Sequence, residues 1–222
     1  MFQSYLNSIK TGFATLLFPP RCVACTKSGL EICETCIRYF KPEPRILKSE
    51  KFRLVASLEY NDTVARILLL AKEQGRAMAQ RLIANALAHS VASYQISFPI
   101  SLVIIPSQMR SIRRRGFNSM LSFAELTLEN PLLSQNFQVI DALEFNRKTS
   151  DQTHLSQSER SKNLYGAFRV KDIEIANPVL VIDDVVTTGS TLREAVRALS
   201  ERNLTIIGAA TACATQRRLA IG

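Results

Sequence analysis

The 222-residue chain lacks any uninterrupted apolar stretch long enough to cross a bilayer, so the sequence predicts no stable membrane span. Internal repeats and low-complexity tracts are also missing, apart from two similar cysteine pairs. Acidic residues are the scarcer charge, with 19 Asp and Glu against 28 Lys and Arg, and the formal net charge is +9. That excess favours phosphate-rich partners such as nucleotides, nucleic acid or an anionic surface, without choosing among them.

We expect no export signal. Residues 1–18 have apolar residues at helical spacing, which predicts an amphipathic docking helix, with membrane-surface binding as the weaker alternative. Lys10 interrupts the apolar stretch and Pro19-Pro20 replaces a cleavage site, so a signal peptide is disfavoured and a cytoplasmic protein is expected. The length and a mean hydropathy of +0.04 predict one globular domain with a small appendage.

Four of the five cysteines form two Cys-x-x-Cys pairs, Cys22 with Cys25 and Cys33 with Cys36. Each pair can fill two corners of a tetrahedron, so together they predict one structural zinc site. Disulfides are disfavoured without an export signal, and a redox role is disfavoured because the pair is doubled. An iron–sulfur cluster stays open as the alternative. Cys213 stands alone in an apolar stretch and is expected to be a core thiol.

Strand-like and helix-like segments alternate after the cysteines, which predicts an α/β fold with a mainly parallel sheet flanked by helices. The proline- and charge-rich segment 41–51 predicts a linker between a zinc module at residues 1–45 and a second domain at residues 52–222. A basic loop is expected at 110–115. Strands are predicted at 53–60, 102–105, 139–145, 167–170, 179–182 and 204–212, and helices at 61–70, 76–92, 117–128 and from the loop after 187 to 200.

The most informative segment is 179–192, where an apolar strand ends in two aspartates and a hydroxyl-rich loop then opens a helix. Helix N-termini favour phosphate, and α/β sheets bind ligands at the carboxyl ends of their strands. The simpler alternative is a buried strand followed by a capped helix, but capping does not explain Asp183 and Asp184. Adjacent carboxylates are expected where hydroxyls or a hydrated cation share their charge. The pattern therefore predicts a site for a phosphorylated sugar.

This segment resembles the 5-phosphoribosyl 1-diphosphate (PRPP) binding motif of type I phosphoribosyltransferases. Together with the cysteine pairs and the strings at 105–118, 147–152 and 158–168, it resembles the ComF family over nearly the whole chain. That family is associated with natural competence and DNA uptake, and it joins a four-cysteine zinc module to a phosphoribosyltransferase-type domain. The string at 70–72 departs from the family pattern.

The resemblance implies roles for the motif residues. Asp183 and Asp184 are the implied catalytic residues, which hold the ribose hydroxyls or the water bound to Mg²⁺ that accompanies PRPP. The residues implied to bind PRPP or ribose 5-phosphate are Thr187, Thr188, Gly189, Ser190, Thr191, Arg110, Arg113, Arg114, Arg147 and Arg160.

Positive charge beside an aromatic ring also suits single-stranded DNA, and the candidates are Arg113, Arg114, Arg115 and Phe117, with a solvated basic turn as the simpler alternative. His154 is a candidate acid or base but is more simply a solvated histidine. The sequence indicates two candidate functions. The first is a PRPP-binding factor in competence, with single-stranded DNA and competence helicases or DNA-processing proteins as partners. The second is an active phosphoribosyltransferase in nucleotide metabolism or salvage. No segment for selecting a base is recognisable, which favours the first.

Overall fold

Strands and helices alternate along the part of the chain that the computed structural model describes, which is residues 19–49, 51–133, 136–146 and 164–215. The amphipathic helix predicted at residues 1–18 lies outside these ranges. The strands are β1 (Arg45–Leu47), β2 (Leu54–Tyr60), β3 (Ile100–Ile104), β4 (Phe137–Ile140), β5 (Leu143–Phe145), β6 (Phe168–Val170), β7 (Val179–Val186) and β8 (Ile206–Thr215). The helices are α1 (Glu34–Ile37), α2 (Asp62–Gln74), α3 (Ala77–Ala92), α4 (Met109–Arg115), α5 (Ser119–Leu128) and α6 (Ser190–Ser200).

A mainly parallel sheet forms the centre of the fold, as the sequence predicts. Its six strands run in the order β1-β2-β8-β7-β3-β4. The neighbouring strands β2, β8, β7, β3 and β4 all pair in parallel. β1 is an edge strand that pairs with β2 in the antiparallel direction. β3 is buried along its whole length, as expected for a parallel strand covered on both faces. β5 and β6 form a separate antiparallel pair.

The two long helices between β2 and β3 begin and end where local chemistry dictates. The side chain of Asn61 accepts the N–H groups of Thr63 and Val64, which caps the start of α2. Gly75 ends α2 in the left-handed conformation with φ 61°, which confirms the predicted break between the helices. α3 packs against β8, β2 and α5. No helix within the described ranges is long and apolar enough to cross a membrane.

The segment predicted as a linker contains a strand. β1 pairs with β2 through Arg45 and Ala56, and Leu47 is buried. A three-residue edge strand has too few alternating positions to stand out from its charged and proline-rich neighbours. The strand predicted at 139–145 is also two strands, because the chain leaves the main sheet after Ile140 and pairs with β6 from Leu143 onwards.

The basic segment expected as a loop is the short helix α4, which ends at Gly116 with φ 80°. The next helix, α5, begins at Ser119 rather than at Phe117, because Asn118 caps it by accepting the N–H of Leu121. The sequence did not predict α4 as a helix, because most of its residues face solvent and provide no apolar stripe.

The cysteine segment shares the apolar core of the sheet. Cys22, Ala24 and Cys36 are buried in the same hydrophobic cluster as residues of β2, α2 and α3. The side chain of Arg66 on α2 donates to the carbonyl of Ala24 at 2.9 Å. The cysteine segment is thus held against α2 by both apolar contact and a hydrogen bond.

β8 comes very close to the residues before β2 at Gly208. The register shifts here, because Val179 faces Ile206 while Leu180 faces Gly208. A Cβ at Gly208 would lie 2.5 Å from the carbonyl oxygen of Arg53 and 2.6 Å from Tyr94 Oη. The Tyr94 hydroxyl lies 2.8 Å from the carbonyl oxygens of Arg53 and Ala209, so these atoms cannot easily retreat.

We expect Gly208→Ala to lower the free energy of unfolding by about 1 to 3 kcal/mol, because the added methyl group meets fixed backbone. Gly116→Ala is the matched control, since Gly116 also has positive φ but a Cβ there meets nothing within 4 Å. Urea unfolding of both variants measures the difference. Equal losses would show that the close approach at Gly208 costs nothing.

Candidate functional site

A cleft of about 360 Å³ opens at the carboxyl ends of β3 and β7. β7 contributes the two aspartates, the residues after β3 form one wall, and the loop before α6 forms another. The lining residues are Lys72, Ile105, Pro106, Ser107, Arg115, Met120, Asp183, Asp184, Val185, Thr187 and Thr191. The structure therefore brings the aspartates and the hydroxyl-rich loop together at the edge of the sheet that the sequence indicates.

The two aspartates differ in their surroundings. The Asp184 side chain is only 4% exposed, whereas Asp183 is partly exposed. Asp184 Oδ1 accepts the N–H of Val185 at 2.9 Å, and Asp183 Oδ1 accepts the N–H of Asp184 at 2.9 Å. Asp184 Oδ2 is buried and accepts no well-aligned hydrogen bond from the described residues. Lys72 Nζ lies 2.5 Å from this oxygen and forms an ion pair with it.

Burial and the neighbouring carboxylates set the protonation of these groups. Burial raises the pKa of Asp183 well above its ordinary range, and the charge of Asp184 raises it further. Burial alone would lower the pKa of Lys72, but the nearby Asp184 and Asp183 outweigh it and raise that pKa. Lys72 therefore stays a cation. Asp183 has no ion-pair partner among the described residues, which suits a ligand that donates hydrogen bonds or a hydrated cation.

The loop before α6 presents hydroxyl and N–H groups beside the aspartates. Gly189 has φ 73°, which turns the chain sharply into the helix. The hydroxyls of Thr188 and Ser190 lie 2.7 Å apart, and Ser190 N–H donates to Thr188 Oγ1 at 3.3 Å. Thr187 and Thr188 are both exposed to solvent. Such a loop at a helix N-terminus provides the donors that a phosphate requires.

Three arginines of α4 form an exposed basic face that does not line the cleft. Arg110, Arg113 and Arg114 are exposed and lie three and four residues apart, so they share one side of the helix. Arg114 pairs with Glu73 at 2.6 Å. Their part in phosphate binding stays a prediction, since the cleft lining includes none of the three. Arg147, Arg160 and His154 lie outside the described residues.

Arg115 points inward, unlike its neighbours, and its side chain is 7% exposed. It donates to the carbonyl oxygens of Ser111 at 3.0 Å and Lys72 at 3.3 Å, and to Ser119 Oγ at 3.3 Å. These bonds tie α4 and α5 to the end of α2. Arg115 therefore positions the segment that carries Lys72, while also lining the cleft.

Phe117 is partly buried rather than free. Its ring lies 3.3 Å from the position of a Cβ at Gly75, so it packs over the turn between α2 and α3. The residues that sequence reasoning missed in the cleft are Lys72, Ser107 and Met120. One signal was present for Lys72, because it stands in the string that departs from the family pattern, one turn before Gly75.

The four paired cysteines form a second candidate site. Their sulfur atoms all lie within 4.8 Å of one another, and Cys25 Sγ is 3.6 Å from Cys33 Sγ. Sulfurs bound to one tetrahedral zinc at about 2.3 Å would be about 3.8 Å apart, so the spacing fits a metal ion. Cys213 is buried elsewhere in the core, and its Sγ lies 3.3 Å from the carbonyl oxygen of Asp184.

The thiols of this cluster compete for protons. Burial by itself would raise the pKa of Cys22, but N–H groups including those of Cys25 and Cys33 outweigh it and lower the pKa to about 6. Burial and the neighbouring cysteines raise the pKa of Cys36 instead. A bound cation would balance all four thiolates at once, so the donor set fits a thiolate-preferring metal.

The sequence model of the phosphoribosyl transferase domain matches residues 130–220, which include β7, both aspartates and the loop before α6. DNA utilization protein YhgH of Escherichia coli strain K12 is 28% identical over 192 residues, covering 81% of this chain and 76% of that protein. Competence protein ComFC of Streptococcus pneumoniae strain R6 is 24% identical over 181 residues, covering 81% and 74%. The resemblance to the ComF family is confirmed.

A third relative of this ComF-like chain is YhgH of Salmonella typhimurium, which is 27% identical over 167 residues and covers 75% of the chain and 70% of that protein. Among solved structures, a hypoxanthine phosphoribosyltransferase from Staphylococcus aureus is 15% identical with a TM-score of 0.39, covering 63% of this chain and 65% of that one. An orotate phosphoribosyltransferase from Aeropyrum pernix is 14% identical with a TM-score of 0.36, covering 82% and 93%. Both TM-scores are too low to support an argument about the fold, which is described by its strand order alone.

We expect metal analysis of the purified chain to find one metal ion per molecule. Cys36→Ser should release it and make residues 19–40 sensitive to protease, because the cluster then lacks one of its four ligands. Cys213→Ala is the matched control, since it removes a buried thiol outside the cluster and should keep the metal. Mass spectrometry of the native protein measures the stoichiometry, and a folded parent without metal would contradict the site.

Proposed function

We propose that the chain binds PRPP or ribose 5-phosphate in the cleft beside Asp183 and Asp184, and that it uses this site in DNA uptake or use, as a ComF-family protein. The observation that carries the proposal is the meeting of a carboxylate pair, one buried and one partly exposed, and a hydroxyl-rich helix start in one cleft at the end of β7. The names of the relatives, DNA utilization protein and competence protein, support the biological setting.

The proposed division of labour follows the chemistry of each group. The loop from Thr187 to Thr191 would bind the 5-phosphate through its N–H groups and hydroxyls. Asp183 is partly exposed and unpaired by any described cation, so it would accept hydrogen bonds from the ribose hydroxyls. Asp184 is too deeply buried to make extensive contact with a sugar. Its carboxylate would instead set the charge of the cleft.

Mg²⁺ would accompany PRPP, and its chemistry there is to neutralise the diphosphate. The carboxylate pair fits such a cation, because Asp183 forms no ion pair with a described residue and Asp184 Oδ2 is paired only with the flexible Lys72 side chain. Oxygen ligands of this kind are what a small hard cation prefers. The alternative function is transfer of the phosphoribosyl group to a base in nucleotide salvage, in which the bond between the ribose and the diphosphate breaks and pyrophosphate leaves.

Zinc is the metal we propose for the cysteine cluster. Four thiolates at tetrahedral spacing suit structural zinc, and the segment has little apolar material of its own beyond the residues that join the main core. We propose a structural role, because all four corners are filled by sulfur and leave no open position for a substrate.

We expect Asp183→Asn with Asp184→Asn to weaken PRPP binding in the presence of Mg²⁺ by about tenfold to a hundredfold, because charge-assisted contacts are worth about 1.5 to 3 kcal/mol. Asp141→Asn with Asp172→Asn is the control, since it removes the same charge from residues outside the cleft. Calorimetry measures the affinity. Equal binding by parent and cleft variant would refute the site.

The same calorimetric samples separate the two functions. Release of pyrophosphate on addition of a purine or pyrimidine base would support salvage by transfer. PRPP binding without release, under the same conditions, supports a binding role in competence.

A second candidate function is contact with single-stranded DNA through the exposed face of α4. Arg110, Arg113 and Arg114 lie on one side of this helix and form a strip of positive charge that does not line the cleft. Phe117 is not included, because its ring is partly buried against the turn at Gly75. Arg115 is not included either, since its side chain is buried and donates within the protein, whereas Arg114 pairs with Glu73 but stays exposed. Single-stranded DNA, and the cytoplasmic helicases or processing proteins that handle it, are the partners proposed.

We expect Arg110→Ala with Arg113→Ala and Arg114→Ala to reduce the salt dependence of single-strand binding by about 2 units on a log–log plot, because each lost phosphate contact removes about 0.7. The control changes Lys27, Arg38 and Lys41 to Ala, which removes the same charge from exposed positions near the cysteines. Fluorescence anisotropy across a salt series measures the slope. An unchanged slope for the α4 variant would place the DNA contact elsewhere.

A further inference from the structure

The ion pair between Lys72 and Asp184 joins two elements that are distant in sequence. Lys72 lies in the last turn of α2, and Asp184 lies near the end of β7. Lys72 Nζ is 2.5 Å from Asp184 Oδ2, and the two side chains are 32% and 4% exposed. The lysine therefore lies at the cleft wall with part of its length in solvent, while its partner is almost fully buried.

A buried carboxylate requires a positive charge, since an isolated one would be protonated or would destabilise the fold. Within the described residues, no other Lys or Arg forms an ion pair with Asp184. A divalent cation at the same oxygen would have to share the space with the Lys72 ammonium. Two cations at such short range repel strongly beside a buried carboxylate, so only one of them can neutralise Asp184 at a time.

We propose that Lys72 takes the place of a divalent cation at Asp184 in the ligand-free protein, and that it must leave Asp184 before a magnesium–diphosphate ligand can be bound there. This inference rests on the proposed ribose-phosphate site only for the identity of that ligand. Lysine suits the role because its flexible four-carbon stem can move a compact charge without a change in the backbone. Ligands without a diphosphate leave the ion pair intact and bind without Mg²⁺.

The position of the Lys72 backbone is fixed by Arg115, another residue of the cleft wall. Arg115 donates to the Lys72 carbonyl, and Arg115 also contacts Glu73 Oε1 at 3.7 Å. The backbone of this last turn of α2 is thus fixed, so that exchange at Asp184 needs movement of the lysine side chain alone. Lys72 is a positioning residue for charge in the cleft rather than a catalytic one.

The experiment compares Lys72→Met with Lys72→Arg and the parent by thermal melting, with and without millimolar Mg²⁺. Buffers are depleted of metal on a resin and contain no soluble chelator, which keeps the cysteine cluster intact, and KCl holds ionic strength constant. We expect Mg²⁺ to raise the melting temperature of Lys72→Met by about 5 °C, because a cation then replaces the missing charge. The parent and Lys72→Arg should move by less than about 1 °C on the same scale.

A Lys72→Met protein that folds only with Mg²⁺ supports the proposal equally. A stable Lys72→Met protein that ignores Mg²⁺ overturns it. If this variant is unfolded in both buffers, electron paramagnetic resonance of Mn²⁺ with the parent decides. The proposal expects no tight Mn²⁺ site in the ligand-free parent, and a stoichiometric site that disappears in Asp183→Asn with Asp184→Asn would overturn it.

These measurements use no sugar phosphate. Failure of PRPP to bind in the calorimetric test would refute the proposed function while leaving the charge exchange at Asp184 standing. Normal PRPP binding together with a Mg²⁺-insensitive Lys72→Met protein would refute the exchange alone.

Discussion

The charge of Asp184 has to be balanced at a position that is almost fully buried, and the arrangement around the cleft follows from this constraint. The balancing cation, Lys72, comes from the last turn of α2. That turn is held by Arg115 of α4, which also reaches the start of α5. The helix that carries the exposed arginines is thereby attached to the element that supplies the cleft with its positive charge.

The cysteine cluster is linked to the same helix. Cys22 and Cys36 are buried against the core of the sheet, and Arg66 on α2 bonds to the carbonyl of Ala24 between the first two cysteines. Arg66 and Lys72 are six residues apart, about 9 Å along a helix axis. α2 therefore contacts the cysteine segment near one end and the aspartates at the other, so the two candidate sites are parts of one packed unit.

Much of this organisation is readable from local patterns. The alternation of buried strands and helices predicts the parallel sheet, and the two Cys-x-x-Cys pairs predict a cluster that the structure assembles with its sulfurs within 4.8 Å. The break at Gly75 follows from glycine's freedom at positive φ. The failures are equally local in origin: β1 is too short to show alternation, and α4 is too exposed to show an apolar stripe.

The sequence by itself determined which groups are available: adjacent aspartates at the end of an apolar strand, a hydroxyl-rich loop, paired cysteines and a run of arginines. Only the tertiary structure decided their surroundings. It buries Asp184 and leaves Asp183 partly exposed, turns Arg115 inward and its neighbours outward, and brings Lys72 to Asp184 across more than a hundred residues of chain. Such contacts depend on how α2 packs against the sheet, because burial and distance are properties of the folded chain that residue order does not record.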